Sequence, residues 1–209
     1  MCGKATVFFA FLFLASLSVF SQKIVKKTLV NAKSKSFQID ATNCYEVKLK
    51  TSPTKEIVVG ATIDGEYQKD LLVSIEEDGS NVLVNTEFQP NFSNPNDKLS
   101  AHKVISVALE ISLPEYAKAN VFGTHANVTV TGSYTTLQVN LSDGNCSLQQ
   151  VLENTLVKTQ KGTIYVTLES GFVDAKSNYG KVFRETVPVG SATFQLHSVE
   201  GDIHIKRTK

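Results

Sequence analysis

Four short stretches decide the fold: DGNCSL at Asp143–Leu148, KGTIYV at Lys161–Val166, YGKVF at Tyr179–Phe183 and EGDIHI at Glu200–Ile205. Each sets a glycine just ahead of an apolar strand start. Counted from Ala126, the small residues Gly144, Gly162 and Gly180 recur every 18 residues, and Gly201 follows after 21. A fixed period near 20 residues marks an architecture in which each repeat is one coil. Such a coil hides its apolar face only by stacking on a neighbour.

Aligned on that small residue, alternate positions form an inward column. Before the turn it reads Ala119, Val121, Gly123, then Leu137, Val139, Leu141, then Thr155, Val157, Thr159, with Val173, Ala175, Ser177 and Phe194, Leu196, Ser198 in the last two coils. After the turn it reads Val128 and Val130, Cys146 and Leu148, Ile164 and Val166, Val182, and Ile203 and Ile205. The positions between are mostly polar, among them Asn120, Gln138, Asn140, Lys158, Asp174, Lys176, Gln195 and His197. Period-two alternation is the mark of a strand with one buried face. Eighteen residues leave no room for a crossover helix, so like strands of successive coils must stack in parallel. The expected fold is all-β: a short right-handed parallel β-helix or β-roll of about five 18-residue coils. Glycine is expected at the turns because the chain reverses there, often with positive φ.

Upstream, from Phe37 to Leu113, strands alternate without the period: Phe37–Ile39, Tyr45–Leu49, Ile57–Ile63, Leu71–Ile75, Val82–Val84 and Lys103–Leu113. Ser52-Pro53, Asp64-Gly65 and Asp78-Gly79 separate them as turns, and Pro114 stops the last. This half is expected to be antiparallel or irregular and to cap the first coil, since a bare stack end invites pairing with another chain. Lys206, Arg207 and Lys209 are expected to put charge on the opposite edge. The stretch from Asn85 to His102 is the longest without a period and reads as a surface loop.

Residues 1–21 carry Lys4, an apolar run from Val7 to Leu17, and small residues at Val19 and Ser21, the pattern of a secretory signal peptide. The run is shorter than the ~20 residues that span a bilayer. The organisation expected is therefore a leader over 1–21, a β-strand region over 22–116 and a repeat region over 117–209. Without the leader the chain holds 20 basic and 20 acidic residues, a balance that gives nucleic acid or an anionic membrane no electrostatic purchase. Cys44 and Cys146 remain. Cys146 falls in the inward column, Cys44 falls out of phase with Tyr45, Val47 and Leu49, and the two are expected to stay unpaired.

No catalytic or metal-binding constellation is legible. His102, His125, His197 and His204 show no ligand spacing, and no nucleophile elbow, phosphate-binding loop or zinc-protease motif occurs. Asp143 and Glu200 flank turns three coils apart in chain order, about 14 Å by strand spacing and too far for paired-acid hydrolysis. Asn91, Asn127, Asn140 and Asn145 open formal glycosylation sequons without further support. No enzyme activity, cofactor or metal is expected. One constellation points to binding. The third position after the turn residue reads Thr129, Ser147, Tyr165, Phe183, His204, and the 18-residue spacing stacks Tyr165 on Phe183 with His204 next. Exposed, this ladder would offer a platform to sugar rings or to a partner strand. Covered by the N-terminal strands it would be ordinary core, the commoner arrangement given how rarely monomers expose large apolar patches.

The strand Val104–Leu113 ending at Pro114, followed by Val121-Phe122-Gly123 and the coils quoted above, resembles the bacterial putative-adhesin family of small β-helical domains. EGDIHI at Glu200–Ile205 is the nearest match, and Ala126 departs from the turn glycine. The resemblance covers roughly residues 104–209. It implies a non-catalytic protein of the Gram-negative cell envelope, in the periplasm or on the outer surface. No functional residue carries over; a glycan or an envelope protein is the partner expected on the flat outer faces. A carbohydrate-active enzyme on the same scaffold and a self-assembling envelope scaffold are the alternatives.

Overall fold

The structure, a computed structural model, describes residues 23–29, 35–92 and 105–208. The leader read at 1–21, His102 and most of the stretch from Asn85 to His102 lie outside the described residues. Fifteen strands form: β1 (Lys23–Leu29), β2 (Ser36–Asp40), β3 (Glu46–Ser52), β4 (Ile57–Gly65), β5 (Leu71–Asp78), β6 (Asn81–Phe88), β7 (Ile105–Pro114), β8 (Ala117–Gly123), β9 (Asn127–Leu141), β10 (Cys146–Thr159), β11 (Ile164–Leu168), β12 (Phe172–Ser177), β13 (Val182–Arg184), β14 (Thr193–Ser198) and β15 (Ile203–Arg207). No helix forms among the described residues, so none is long and apolar enough to cross a membrane.

The strands run in two rows joined through β9 and β10, whose two halves belong one to each row. The first row is β1-β4-β7-β3-β9-β10-β11-β15-β13. The second is β5-β6-β2-β8-β9-β10-β14-β12. From β7 to β13 and from β6 to β12 every pairing is parallel, while β1–β4, β4–β7 and β5–β6 are antiparallel. The chain is all-β and mostly parallel, as the periodicity requires. The inward column is buried as read: Val128, Val130, Leu137, Val139, Cys146, Leu148, Ile164, Val166, Leu196 and Ile203 join one core with Phe37, Ile39, Val47 and Leu109 from the N-terminal half. Thr159 and Ser198 also sit inside, and their hydroxyls are satisfied by each other at 3.1 Å and by the Gly162 carbonyl.

Chain order is not stacking order, and this corrects the expectation of a charged last edge. The coil of β14 and β15 inserts between its predecessors: β15 pairs with β11 on one side and β13 on the other, and β14 with β10 and β12. The open edge is therefore β12 and β13, and Lys206 and Arg207 lie inside the stack. Its inward side chains are incompletely covered, with Val182 exposed and Val173 and Ala175 half-buried. The connection after β13 makes this insertion possible. It passes over the start of β12, where Gly171 and Phe172 amides bond the Pro188 and Ala192 carbonyls at 2.9 and 2.8 Å, and this longer path is the origin of the 21-residue step.

The N-terminal half is not merely a cap. β2 pairs in parallel with both β6 and β8, and β3 with both β7 and β9, so these two strands lie inside the parallel rows. Only β1, β4, β5 and their partners supply the antiparallel end. Cys44 points inward rather than outward and is buried, because the turn after β2 shifts the phase by one residue. Both Cys44 and Cys146 are unpaired.

The turn glycines serve a purpose other than positive φ, which is confined to Gly65, Gly79, Gly132 and Gly171 among the glycines. They form a ladder of close approaches. A Cβ on Gly144 would strike the Ala126 carbonyl, with its carbon at 2.7 Å. One on Gly162 would strike Gly144 at 2.6 Å, one on Gly201 would strike Gly162 at 2.6 Å, and one on Gly180 would strike Gly201 at 2.6 Å. Backbone rests on backbone at every turn, and only the base of the ladder, Ala126, has room for a side chain.

Candidate functional site

The outer face of the first row carries the residues read as a platform. Their order differs from the chain. Register pairs Ser147 with Tyr165, Tyr165 with His204, and His204 with Phe183. His204 is the middle rung rather than the last, because β15 inserts between β11 and β13. The Tyr165 and His204 rings lie 5.1 Å apart at 13°, and the His204 and Phe183 rings 4.6 Å apart at 10°.

Parallel register explains why the three ring planes become nearly parallel. Identical backbone geometry on adjacent strands ~4.8 Å apart gives like rotamers the same direction, so the planes stack instead of meeting edge to face. Aromatic and β-branched cross-strand pairs also favour the sheet by ~0.2–1 kcal/mol each. The face is open. Tyr165 and Phe183 each keep 46% of their surface in solvent, and the N-terminal strands do not cover them.

Polar rows flank the rings. On the turn side run Asn127, Asn145 and Thr163, one residue each before β9, β10 and β11 advance inward. The Asn127 side-chain oxygen accepts from the Asn145 amide at 3.1 Å, and the Asn145 oxygen accepts from the Thr163 backbone N–H at 2.8 Å. Asp202 continues the row by accepting from the Lys181 N–H at 2.7 Å. Two residues beyond the rings lie Gln149, Thr167 and Lys206, in register. The ladder of amides was missed in the sequence, although its signal was there: a polar residue follows each turn residue. It also engages the side chains of two of the formal glycosylation sites.

The sequence-read residues thus divide into two groups. Tyr165, His204 and Phe183 form one surface; Gly144, Gly162, Gly201 and Gly180 form the turn ladder along its border. The acids do not assemble into a cleft. The inserted coil brings Glu200 to two strand steps from Asp143, about 10 Å rather than 14 Å, but both are exposed and Asp143 faces His125 at 3.5 Å. No group of three metal-ligating side chains occurs among the described residues. The thiols are poor nucleophiles. Desolvation by burial raises Cys146 to about 12 and Cys44 to about 11, although a hydrogen bond between Cys44 and Thr86 pulls Cys44 partly back.

No family model matches the sequence. No curated protein matches it either. Among solved structures, the chain is similar to a putative cell adhesion protein from Clostridium sporogenes, with a TM-score of 0.62 over 90% of this chain and 100% of that one. It has the same fold. Sequence identity is 12%, so the likeness is one of architecture alone. A putative adhesin from Bacteroides fragilis aligns at 13% identity over 90% of this chain and 99% of its own, with a TM-score of 0.37. One from Parabacteroides distasonis aligns at 12% over 87% and 97%, with a TM-score of 0.31. The resemblance read from the turn motifs thus has a counterpart in the fold of a solved putative cell adhesion protein.

Proposed function

We propose that this chain is an exported, non-catalytic, adhesin-like module of the bacterial cell envelope that binds saccharide rings on the Tyr165–His204–Phe183 face. The strands wind as a short right-handed parallel β-helix, and its regular register is what makes the face flat. One observation carries the reading: three rings stacked on the outer face, Tyr165 and Phe183 exposed with the half-buried His204 between them, each neighbouring pair of planes within 13°. The stack offers its ring edges and the outer faces of Tyr165 and Phe183 to the C–H groups of a sugar, while flanking amides and hydroxyls supply donors and acceptors for the ring hydroxyls. The Asn145, Thr163 and Asp202 row on one side and Gln149, Thr167 and Lys206 on the other provide both. Placement in the periplasm or on the outer surface of a Gram-negative cell belongs to the same reading, export resting on the leader read at 1–21 and the Gram-negative envelope on the adhesin resemblance.

The test is calorimetric titration with neutral oligosaccharides such as chitotetraose, cellotetraose and maltotetraose. At least one should bind the full chain, and Tyr165→Ala with Phe183→Ala should weaken it about a hundredfold, at ~1.4 kcal/mol per ring. Loss of fold in that double variant would make the rings structural and end the platform reading.

A second reading has its own observation. The β12/β13 edge leaves Phe172, Tyr179 and Val182 exposed beside unpaired strand backbone, which suits end-to-end assembly of an envelope scaffold. Sedimentation velocity over a range of concentrations decides it, since a monomer throughout excludes the scaffold.

A further inference from the structure

The opposite outer face, on the second row, holds a groove of about 720 Å³ between the ends of β8, β9, β10, β14 and β12 and the turns that follow them. Register places Lys158 beside His197 and His197 beside Lys176. Three basic side chains thus stand on three neighbouring strands, ~4.8 Å apart. In chain order Lys158 and Lys176 are one 18-residue step apart and would be direct neighbours; the inserted β14 sets His197 between them.

No aspartate or glutamate lines the groove. Among the described residues neither lysine has an ion-pair partner. Asp40 heads the same column at its far end, four strands from Lys158's neighbour His197, and its carboxylate already accepts from the Thr42 N–H at 2.9 Å. The two lysines stand one strand either side of His197 and both are exposed, so core packing does not explain their placement. The remaining lining is rich in amides and hydroxyls, including Asn140, Ser142, Gln160 and Asn178, with Phe122 and Val199 as apolar spots.

We propose that this groove binds an acidic saccharide, with Lys158 and Lys176 reaching its carboxylate on either side of His197. The volume suits a ligand of a few sugar rings. The cations select the charge, and the amides and hydroxyls suit a polyhydroxylated chain better than a bare anion. The site is independent of the aromatic face and stands if that reading fails.

The experiment is calorimetric titration of the full chain with trigalacturonate, its methyl ester and inorganic phosphate. Trigalacturonate should bind, the uncharged ester about tenfold or more weaker, and added salt should weaken the acid form but not the ester. Lys158→Gln with Lys176→Gln should lower trigalacturonate affinity about tenfold or more while thermal unfolding stays unchanged. Tyr165→Ala with Phe183→Ala should leave it as it is. The proposal is overturned by absent trigalacturonate binding, by equal affinity in the lysine variant, or by equal affinity for the ester. Phosphate binding as tightly as trigalacturonate would make this an anion site with no saccharide specificity, and overturns it too.

Discussion

Tyr165 and His204 stack ring on ring at 5.1 Å, yet the whole β12–β13 coil lies between them in sequence and on the far side of His204 in space. The centre of the aromatic face is thus supplied by the last strand of the chain. Everything proposed for that face depends on the insertion of β15.

Removing the middle ring should therefore cost binding more than stability. In His204→Ala, Tyr165 and Phe183 would remain two strand steps apart, about 10 Å, with no continuous platform between them. Affinity for a neutral oligosaccharide should fall about tenfold, whereas the lost cross-strand pairs amount to under ~1 kcal/mol each. His204→Phe should restore binding. Calorimetry beside thermal unfolding checks both halves, and an unchanged affinity in the alanine variant would rule out a three-ring site.

The turn ladder predicts a sharp contrast among glycines. At Gly162 an added methyl has only the Gly144 backbone to push against, so Gly162→Ala should destabilise by about 2–3 kcal/mol, as overpacking does. At Gly60 the nearest atom to a new Cβ is the Glu110 carbonyl oxygen at 3.7 Å, ordinary contact. Gly60→Ala should then be neutral or slightly stabilising, by ~0.5 kcal/mol, through the unfolded chain. Urea unfolding of the two variants measures this; equal effects would mean the turns relax freely.

The thiols make stability depend on alkaline pH. Burial raises Cys44 to about 11 and Cys146 to about 12 from an ordinary 9.0. Between those limits the unfolded chain loses thiol protons that the folded chain keeps, so the unfolded state binds fewer protons and stability falls as pH rises. The slope is ~1.4 kcal/mol per pH unit for each thiol, fully present as stability below pH 9 and lost towards 11 and 12. Melting temperature against pH should show a decline above 9 that is shallower in Cys146→Ala. A decline of the same steepness in that variant would assign it to other groups.

The exposed edge should also be the least protected part of the sheet. β13 has three residues and β12 pairs on one side only, with Val173 and Ala175 half-buried. Local opening there breaks few contacts. Hydrogen exchange should be fastest among the strands in β12 and β13 and slowest in β9 and β10, which serve both rows. Protection of β12 equal to that of β10 would indicate that the edge is covered, as in end-to-end assembly.

Much of the fold is legible without coordinates because period-two alternation and an 18-residue repeat are local facts about the chain. The inward column from Ala119 to Ile205 needs only side-chain direction on a strand, and it is buried almost throughout. The turn positions were legible for the same reason, though not the reason glycine sits there: a Cβ clash with Ala126 or Gly144 belongs to the neighbouring coil. The parallel pairing of β2 and β3 was illegible because these strands lack the period, and Cys44 because one turn residue reverses its phase.

Of the candidate face, the sequence determined the membership: Tyr165, Phe183 and His204 share a column because each stands three residues after its turn. It also determined that they point outward. Only the tertiary structure decided their order, their exposure, and the meeting of Lys158, His197 and Lys176 on the opposite face. The physical reason is that a parallel strand pairs equally well with any strand of matching register. A period therefore says which residues can stand side by side, while the connection crossing β12 decides which ones do.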